Sequence, residues 1–261
     1  MSKIDLSQIS DKQYAFLSAK QKHVGFGGAR GGGKSWSVRT KAKILACAFA
    51  GIKILIVRRT FRELDNNHIQ PLLDLLHGQA TYNRQDKRFT FPNKSTISFG
   101  YCDSDGDLGQ YQGAEYHVIF LDESTQLKQE WIDKIRACCR SADSIPKRMY
   151  YTCNPGGESH TWHKDRFVDR KKAVDSTVDN QVFITALPTD NKALMESTPE
   201  YIAQLEALPP KLRAAWLEGS WDIFEGCVFE EFTIAPDNED GRWTHVLPAE
   251  GFKVPNSWEV Y

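Results

Sequence analysis

Apolar residues along this chain gather into short, nearly unbroken runs, and longer stretches with helical spacing lie between them. The run at 53–57, Lys-Ile-Leu-Ile-Val, shows no alternation, which predicts a strand buried on both faces of a parallel sheet. The same reading predicts strands over 23–27, 117–121, 148–152 and 181–187. Segments 88–91 and 95–101, joined by Pro92-Asn93-Lys94, read as a β-hairpin. Helices are predicted over 35–50, 62–77 and 129–140, with Pro71 able to break or restart the second. Two shorter ones, 199–208 and 210–217, each open on proline. A first short helix is capped by Ser10 or Asp11. From about Glu225 the chain turns acidic and proline-punctuated and reads as a linker.

Strands that alternate with helices imply an α/β fold, a mainly parallel central sheet with helices on both faces. Ligands of such sheets sit beyond the carboxyl ends of the strands, so residues with chemistry are expected there.

Gly28-Ala29-Arg30-Gly31-Gly32-Gly33-Lys34-Ser35 follows the first strand and matches G-x-x-x-x-G-K-[ST] in full. Its glycines let backbone N–H groups wrap a phosphate, and the next helix points its positive end at the same anion. Lys34 is expected on the β and γ phosphates of ATP and Ser35 on Mg²⁺. Arg30, inside the loop, is placed to meet charge that spreads over the γ-phosphate in the transition state. The run Val118-Ile-Phe-Leu121 ends in Asp122-Glu123. Asp122 is expected to hold Mg²⁺ through its water shell, and Glu123 to orient and deprotonate the attacking water. The predicted strand at 53–57 separates the two motifs in sequence, which fits the additional-strand, catalytic-glutamate division of phosphate-loop NTPases. Asn154 closes the strand at 148–152 and would face the γ-phosphate if that strand is a neighbour.

Composition and charge sharpen this picture. The chain has 261 residues, 41% of them hydrophobic, which excludes a disordered tail. No run of about 18 uncharged apolar residues exists, so no membrane span is expected. No basic-then-apolar leader opens the chain, so the protein is expected to stay where it is made. Its six cysteines show no C-x-x-C spacing, which points to a reducing compartment and to neither zinc nor disulfides. The net charge of −1 hides an asymmetry: residues 1–60 carry twelve Lys/Arg against two Asp, and residues 221–261 two against nine acids. A basic N-terminal part suits a polyanionic ligand.

Together these residues resemble the large terminase subunit of tailed bacteriophages, the ATPase motor that packages DNA. The similarity spans roughly residues 10–230. It rests on the phosphate loop with its internal arginine, on Leu121-Asp122-Glu123 and on Thr152-Cys153-Asn154-Pro155. Val57-Arg58-Arg59-Thr60, Gln112-Gly113, Thr189-Asp190-Asn191 and Trp216-Leu-Glu-Gly-Ser-Trp221 support it. The resemblance implies an ATPase core over 1–188, a small helical lid over 189–224, and a linker over 225–261 toward a nuclease domain that the chain lacks. No DNA cleavage is therefore expected. It also implies that Gln13 reads adenine, that Arg30 stabilises the transition state, and that Thr152 and Asn154 couple hydrolysis to movement. The implied partners are double-stranded DNA, the small terminase subunit, the portal protein of the procapsid and further copies in a ring. The implied place is the host cytoplasm, docked transiently on the procapsid. A helicase-like translocase, a metabolite kinase and a non-hydrolysing nucleotide scaffold remain alternatives for the same loop.

Weaker signals have plainer readings. Asp103-x-Asp105-x-Asp107 lacks the glycine and glutamate of a calcium loop. His160-x-x-His163 reads as a solvated helix face, and Cys138-Cys139 as packing on a helix. Arg170-Lys171-Lys172 reads as an exposed loop. Arg84, Arg88, Arg136 and Arg140 are all candidates for an arginine acting on a neighbouring subunit.

Overall fold

Ser10 caps the first helix through a reciprocal pair of bonds. Its hydroxyl accepts the Gln13 N–H at 3.2 Å, and Gln13 Oε1 accepts the Ser10 N–H at 2.9 Å, a capping box for α1 (Asp11–Ser18). This is a computed structural model, and it describes residues 9–169 and 180–222. The predicted linker at 225–261 and the basic run at 170–172 lie outside the described residues.

Strands β1 (His23–Gly28), β2 (Lys53–Arg58), β3 (Thr81–Asn83), β4 (Arg88–Thr90), β5 (Thr96–Tyr101), β6 (Val118–Leu121), β7 (Arg148–Cys153) and β8 (Gln181–Ala186) form one sheet. Its spatial order is β3-β4-β5-β2-β6-β7-β1-β8. Every pair from β5 to β8 is parallel, and the β3-β4-β5 corner is antiparallel. The strand that stands between β1 and β6 is thus β7, whereas β2 lies on the far side of β6.

Both faces of the sheet are covered, which is why its strands read as unbroken apolar runs. Successive side chains point to opposite faces. Ile54, Ile56, Phe120 and Tyr150 join one cluster with Phe16 of α1 and with Val38 and Leu45 of α2 (Lys34–Ala48). Leu55, Val57, Ile119, Leu121 and Tyr151 join the other, with Trp131, Ile132 and Ile135 of α5 (Gln129–Arg136).

Several elements depart from the sequence reading. The predicted helix at 62–77 is α3 (Phe61–Leu64), a π turn over Asp65–Ile69, and α4 (Gln70–Leu75), which restarts with Pro71 in its first turn. The predicted helix at 129–140 stops at Arg136, because Cys138 and Cys139 N–H bond back three residues to Ile135 and Arg136 and tighten the last turn. Strand β3, too polar and short to show a period, is an addition to the predicted elements. So is the 3₁₀ helix at Asp105–Tyr111. After β7, α6 (His160–His163) runs into a second π turn over Lys164–Val168. Within 189–222 there are three helices where two are predicted: α7 (Lys192–Ser197), α8 (Tyr201–Glu206) and α9 (Pro210–Trp216). The additional one, α7, is capped by the Asn191 side chain.

Candidate nucleotide site

The turn from β1 to α2 is the predicted phosphate loop, at the carboxyl edge of the sheet. Gly33 caps α2 with φ of 72°, and a side chain there would run into the Gln13 amide. Lys34 is the first helical residue and is buried. Its ammonium folds back over the loop and donates to Ala29 O at 2.6 Å and Asn154 Oδ1 at 2.7 Å. Burial pulls its pKa below the lysine range, against the pull of Glu123 and Asp122. A cavity of about 520 Å³ opens in front, lined among others by Arg30, Gly31, Gly32, Ser35, Glu123 and Asn154.

Asp122 and Glu123 leave β6 side by side and meet opposite environments. Asp122 is fully buried. Its Oδ2 accepts from Arg58 Nε and His68 Nε2, both at 2.8 Å, and from Ser35 Oγ at 3.2 Å; its Oδ1 accepts the Thr152 hydroxyl at 2.5 Å. Burial alone would raise its pKa, but His68, Arg58 and Thr152 outweigh burial and hold the group ionised well below the usual carboxylate range. Glu123 has few such donors: Asn154 Nδ2 reaches its carboxylate at 3.0 Å, and Arg58 stands 3.8 Å away. There burial wins, with Asp122 adding to it against Lys34 and Arg58, and the Glu123 pKa is raised. Neighbouring acids driven apart in this way are suited to different tasks: a permanent anion and a proton acceptor.

Glu123 also has a left-handed backbone, φ 53° and ψ 45°, uncommon for a residue with a side chain. Its N–H donates to Thr152 Oγ1 at 2.9 Å. The Thr152 hydroxyl therefore joins the two acids, donating to one and accepting from the backbone of the next. Because β7 lies beside β6, Asn154 reaches both Lys34 and Glu123. Its side chain stands where the phosphate loop and Glu123 meet.

Other predicted residues fall around this centre. The Arg30 guanidinium stacks on Trp216 of α9, 3.3 Å from the ring centroid, at the rim of the cavity. Gln13, which spacing alone would leave on the surface, is 5% exposed and lines an adjoining cavity of about 450 Å³ with Trp36, Gly33, Asn191 and Leu194. Asn191 Nδ2 donates to Gly31 O at 2.7 Å, so residues of the expected lid touch the loop directly.

The reading of His160-x-x-His163 as a solvated face is corrected. His163 is fully buried between Ser124 and Ser159, with Nε2 2.7 Å from Ser124 Oγ. His68 and Arg58 are site residues that sequence reasoning misses. Arg58 figures only within a similar stretch, and a single histidine in a helical segment carries no spacing signal. The three aspartates at 103–107 serve the fold: Asp103 pairs with Arg59, Asp105 accepts from Trp131 Nε1, and Asp107 caps the 3₁₀ turn at Ser104.

The two oxygen donors Ser35 Oγ and Asp122 fit Mg²⁺, which keeps most of its ligands as water and phosphate oxygens and needs no protein cage. Among the described residues no group of three or more His, Cys, Asp or Glu could hold a metal ion.

The sequence pattern of the family described as terminase large subunit, T4likevirus-type, N-terminal, matches residues 26–236. No curated protein matches in sequence. Among solved structures, the large terminase of a thermophilic bacteriophage superposes with a TM-score of 0.68 at 18% identity, covering 84% of this chain and 57% of that one. The same phage protein in complex with ATP-γ-S gives 0.66 at 18% identity over 82% and 53%. The large terminase ATPase domain of Thermus phage P74-26 gives 0.60 at 14% identity over 80% and 92%. The chain thus spans little more than half the length of the first of these terminases, and these likenesses show a shared fold.

Proposed function

Since the chain belongs to the terminase large subunit family, matching its T4-like N-terminal region, we propose that it hydrolyses ATP to drive double-stranded DNA into a procapsid. The observation that carries this reading is the contact chain Lys34–Asn154–Glu123, in which the Lys34 ammonium and the Glu123 carboxylate, its pKa raised by burial, lie on opposite sides of one amide. Backbone N–H groups of Gly31 to Ser35 would cradle the β and γ phosphates. Ser35 and Asp122 would hold Mg²⁺, which when bound would neutralise phosphate charge. Glu123 would take a proton from water as its oxygen bonds to the γ-phosphorus and the bond to ADP breaks. Lys34 and Arg30 would balance the charge on the phosphoryl oxygens. Gln13, beside Trp36, supplies an amide for the base. Thr152 on β7 and Asn154 just after it would carry the phosphate's state away from the site. The partners proposed on the same ground are the small terminase subunit, the procapsid portal and other copies of this chain in a ring, assembled in the host cytoplasm.

The test is Glu123→Gln. ATP binding should persist and turnover should fall by about 10²–10⁴. Unchanged turnover would remove Glu123 from the role, and phosphate found on a small acceptor instead of in solution would replace hydrolysis with transfer.

A further inference from the structure

The segment Trp216–Trp221, which the chemistry above does not use, touches the phosphate loop at two places and His160 of α6 at a third. Trp216 takes the Arg30 guanidinium on its ring, and its carbonyl accepts the Arg30 N–H at 3.0 Å. Gly219, with φ of 68°, lies so close to the start of the phosphate loop that a Cβ would meet Gly28 Cα at 3.0 Å and Ala29 N at 3.1 Å. Trp221 is buried and stacks on His160, ring centroids 5.2 Å apart. His160 Nδ1 accepts the Gly156 N–H at 2.9 Å, which leaves the proton on Nε2 to meet the Trp221 carbonyl at 3.1 Å. Gly156 is two residues from Asn154. Lys164 adds an ion pair to Asp222 at 2.6 Å.

We propose that Trp216–Trp221 is a strap that holds Arg30 through Trp216 and the Asn154 loop through His160 and Trp221, so that the state of the phosphate site sets the position of this segment. The inference rests on the nucleotide reading above. It makes Trp216, His160 and Trp221 positioning residues. Both contacts depend on shape. The guanidinium stacked on the indole face and the two ring-nitrogen bonds of His160 are each lost if the loop moves by about an ångström. Movement of Arg30 or Asn154 toward a γ-phosphate therefore breaks or shifts a contact to the strap, and a strap held elsewhere disfavours that movement by the same free energy.

Hydrogen exchange by mass spectrometry on the full chain, with and without Mg-ATP-γ-S, tests it. In wild type, nucleotide should change exchange in peptides covering 28–35, 154–160 and 216–222 together. His160→Ala should keep the change at 28–35 and weaken it at 216–222, where only the Trp216 and Gly219 contacts to the phosphate loop are left, and should lower kcat about 2- to 30-fold with KM little altered. His160→Gln, with a donor and an acceptor at similar reach, should restore most of both. A nucleotide response at 28–35 with none at 216–222 in wild type overturns the strap alone, and this arm decides the matter even if a variant fails to fold. Equal responses at 216–222 in wild type and a folded His160→Ala overturn it as well. No response at 28–35 would sink the nucleotide reading and the strap with it.

Discussion

Thr152→Val is nearly isosteric and removes one hydroxyl, yet that hydroxyl makes two bonds in the centre of the site. It donates to Asp122 at 2.5 Å and accepts from the Glu123 N–H at 2.9 Å. A bond to a buried carboxylate is worth about 1.5–3 kcal/mol, and a buried N–H left unpaired costs about 1–3 kcal/mol. The two share one atom, so the sum is not additive, and a loss of about 3 kcal/mol of stability is expected. Asp122 keeps Arg58, His68 and Ser35 and stays ionised. Glu123 loses the anchor of its left-handed backbone, and a displacement of about 1 Å at a catalytic group costs on the order of 10² in rate. Urea melts and ATP turnover on the same preparation would measure both, with Thr152→Ser as the control that keeps the hydroxyl. Wild-type turnover in a folded Thr152→Val would refute the claim that this hydroxyl positions Glu123.

Two pH effects follow from the buried groups. His163 is held neutral by burial, its pKa pulled down from 6.5 to about 4. The unfolded chain therefore binds more protons between those values, and stability should fall as pH drops through that window, by up to about 3 kcal/mol from this group. Melts of wild type and His163→Gln at pH 7 and pH 4 should show the larger loss in wild type; equal losses would count against a buried neutral ring. Glu123, raised above its ordinary 4.5 by burial, must be ionised to accept a proton. The acid limb of kcat/KM should accordingly lie above pH 4.5, and a limb at or below that value would argue against Glu123 as the base.

Much of this is legible in the sequence because the signals are local. Unbroken runs such as 53–57 and 118–121 report strands covered on both faces, and the phosphate loop declares its own turn and helix. Asp122 and Glu123 are found because they end such a run. What escapes depends on contacts distant along the chain. That β7 slots between β1 and β6, and so carries Asn154 to Lys34, is a property of strand order that no single segment encodes. His68 lies 54 residues from Asp122 in a π turn, and its helix pattern looks ordinary. His160 and His163 resemble an exposed pair until the chain from 216 to 222 folds over one and the turn after β6 encloses the other. Gln13 is polar enough to read as surface, and only the capping box and the neighbouring loop bury it.

The central claim is geometric, that a triphosphate lies between the Gly31–Ser35 amides and the Glu123 carboxylate. A crystal structure with Mg²⁺ and a non-hydrolysable ATP analogue measures this directly. The expected result is phosphates on those amides and on Lys34, Ser35 and Asp122 at the metal, and a water between Glu123 and the γ-phosphorus. A nucleotide bound elsewhere, or a Glu123 carboxylate turned away with no water within its reach of the phosphorus, would contradict the account.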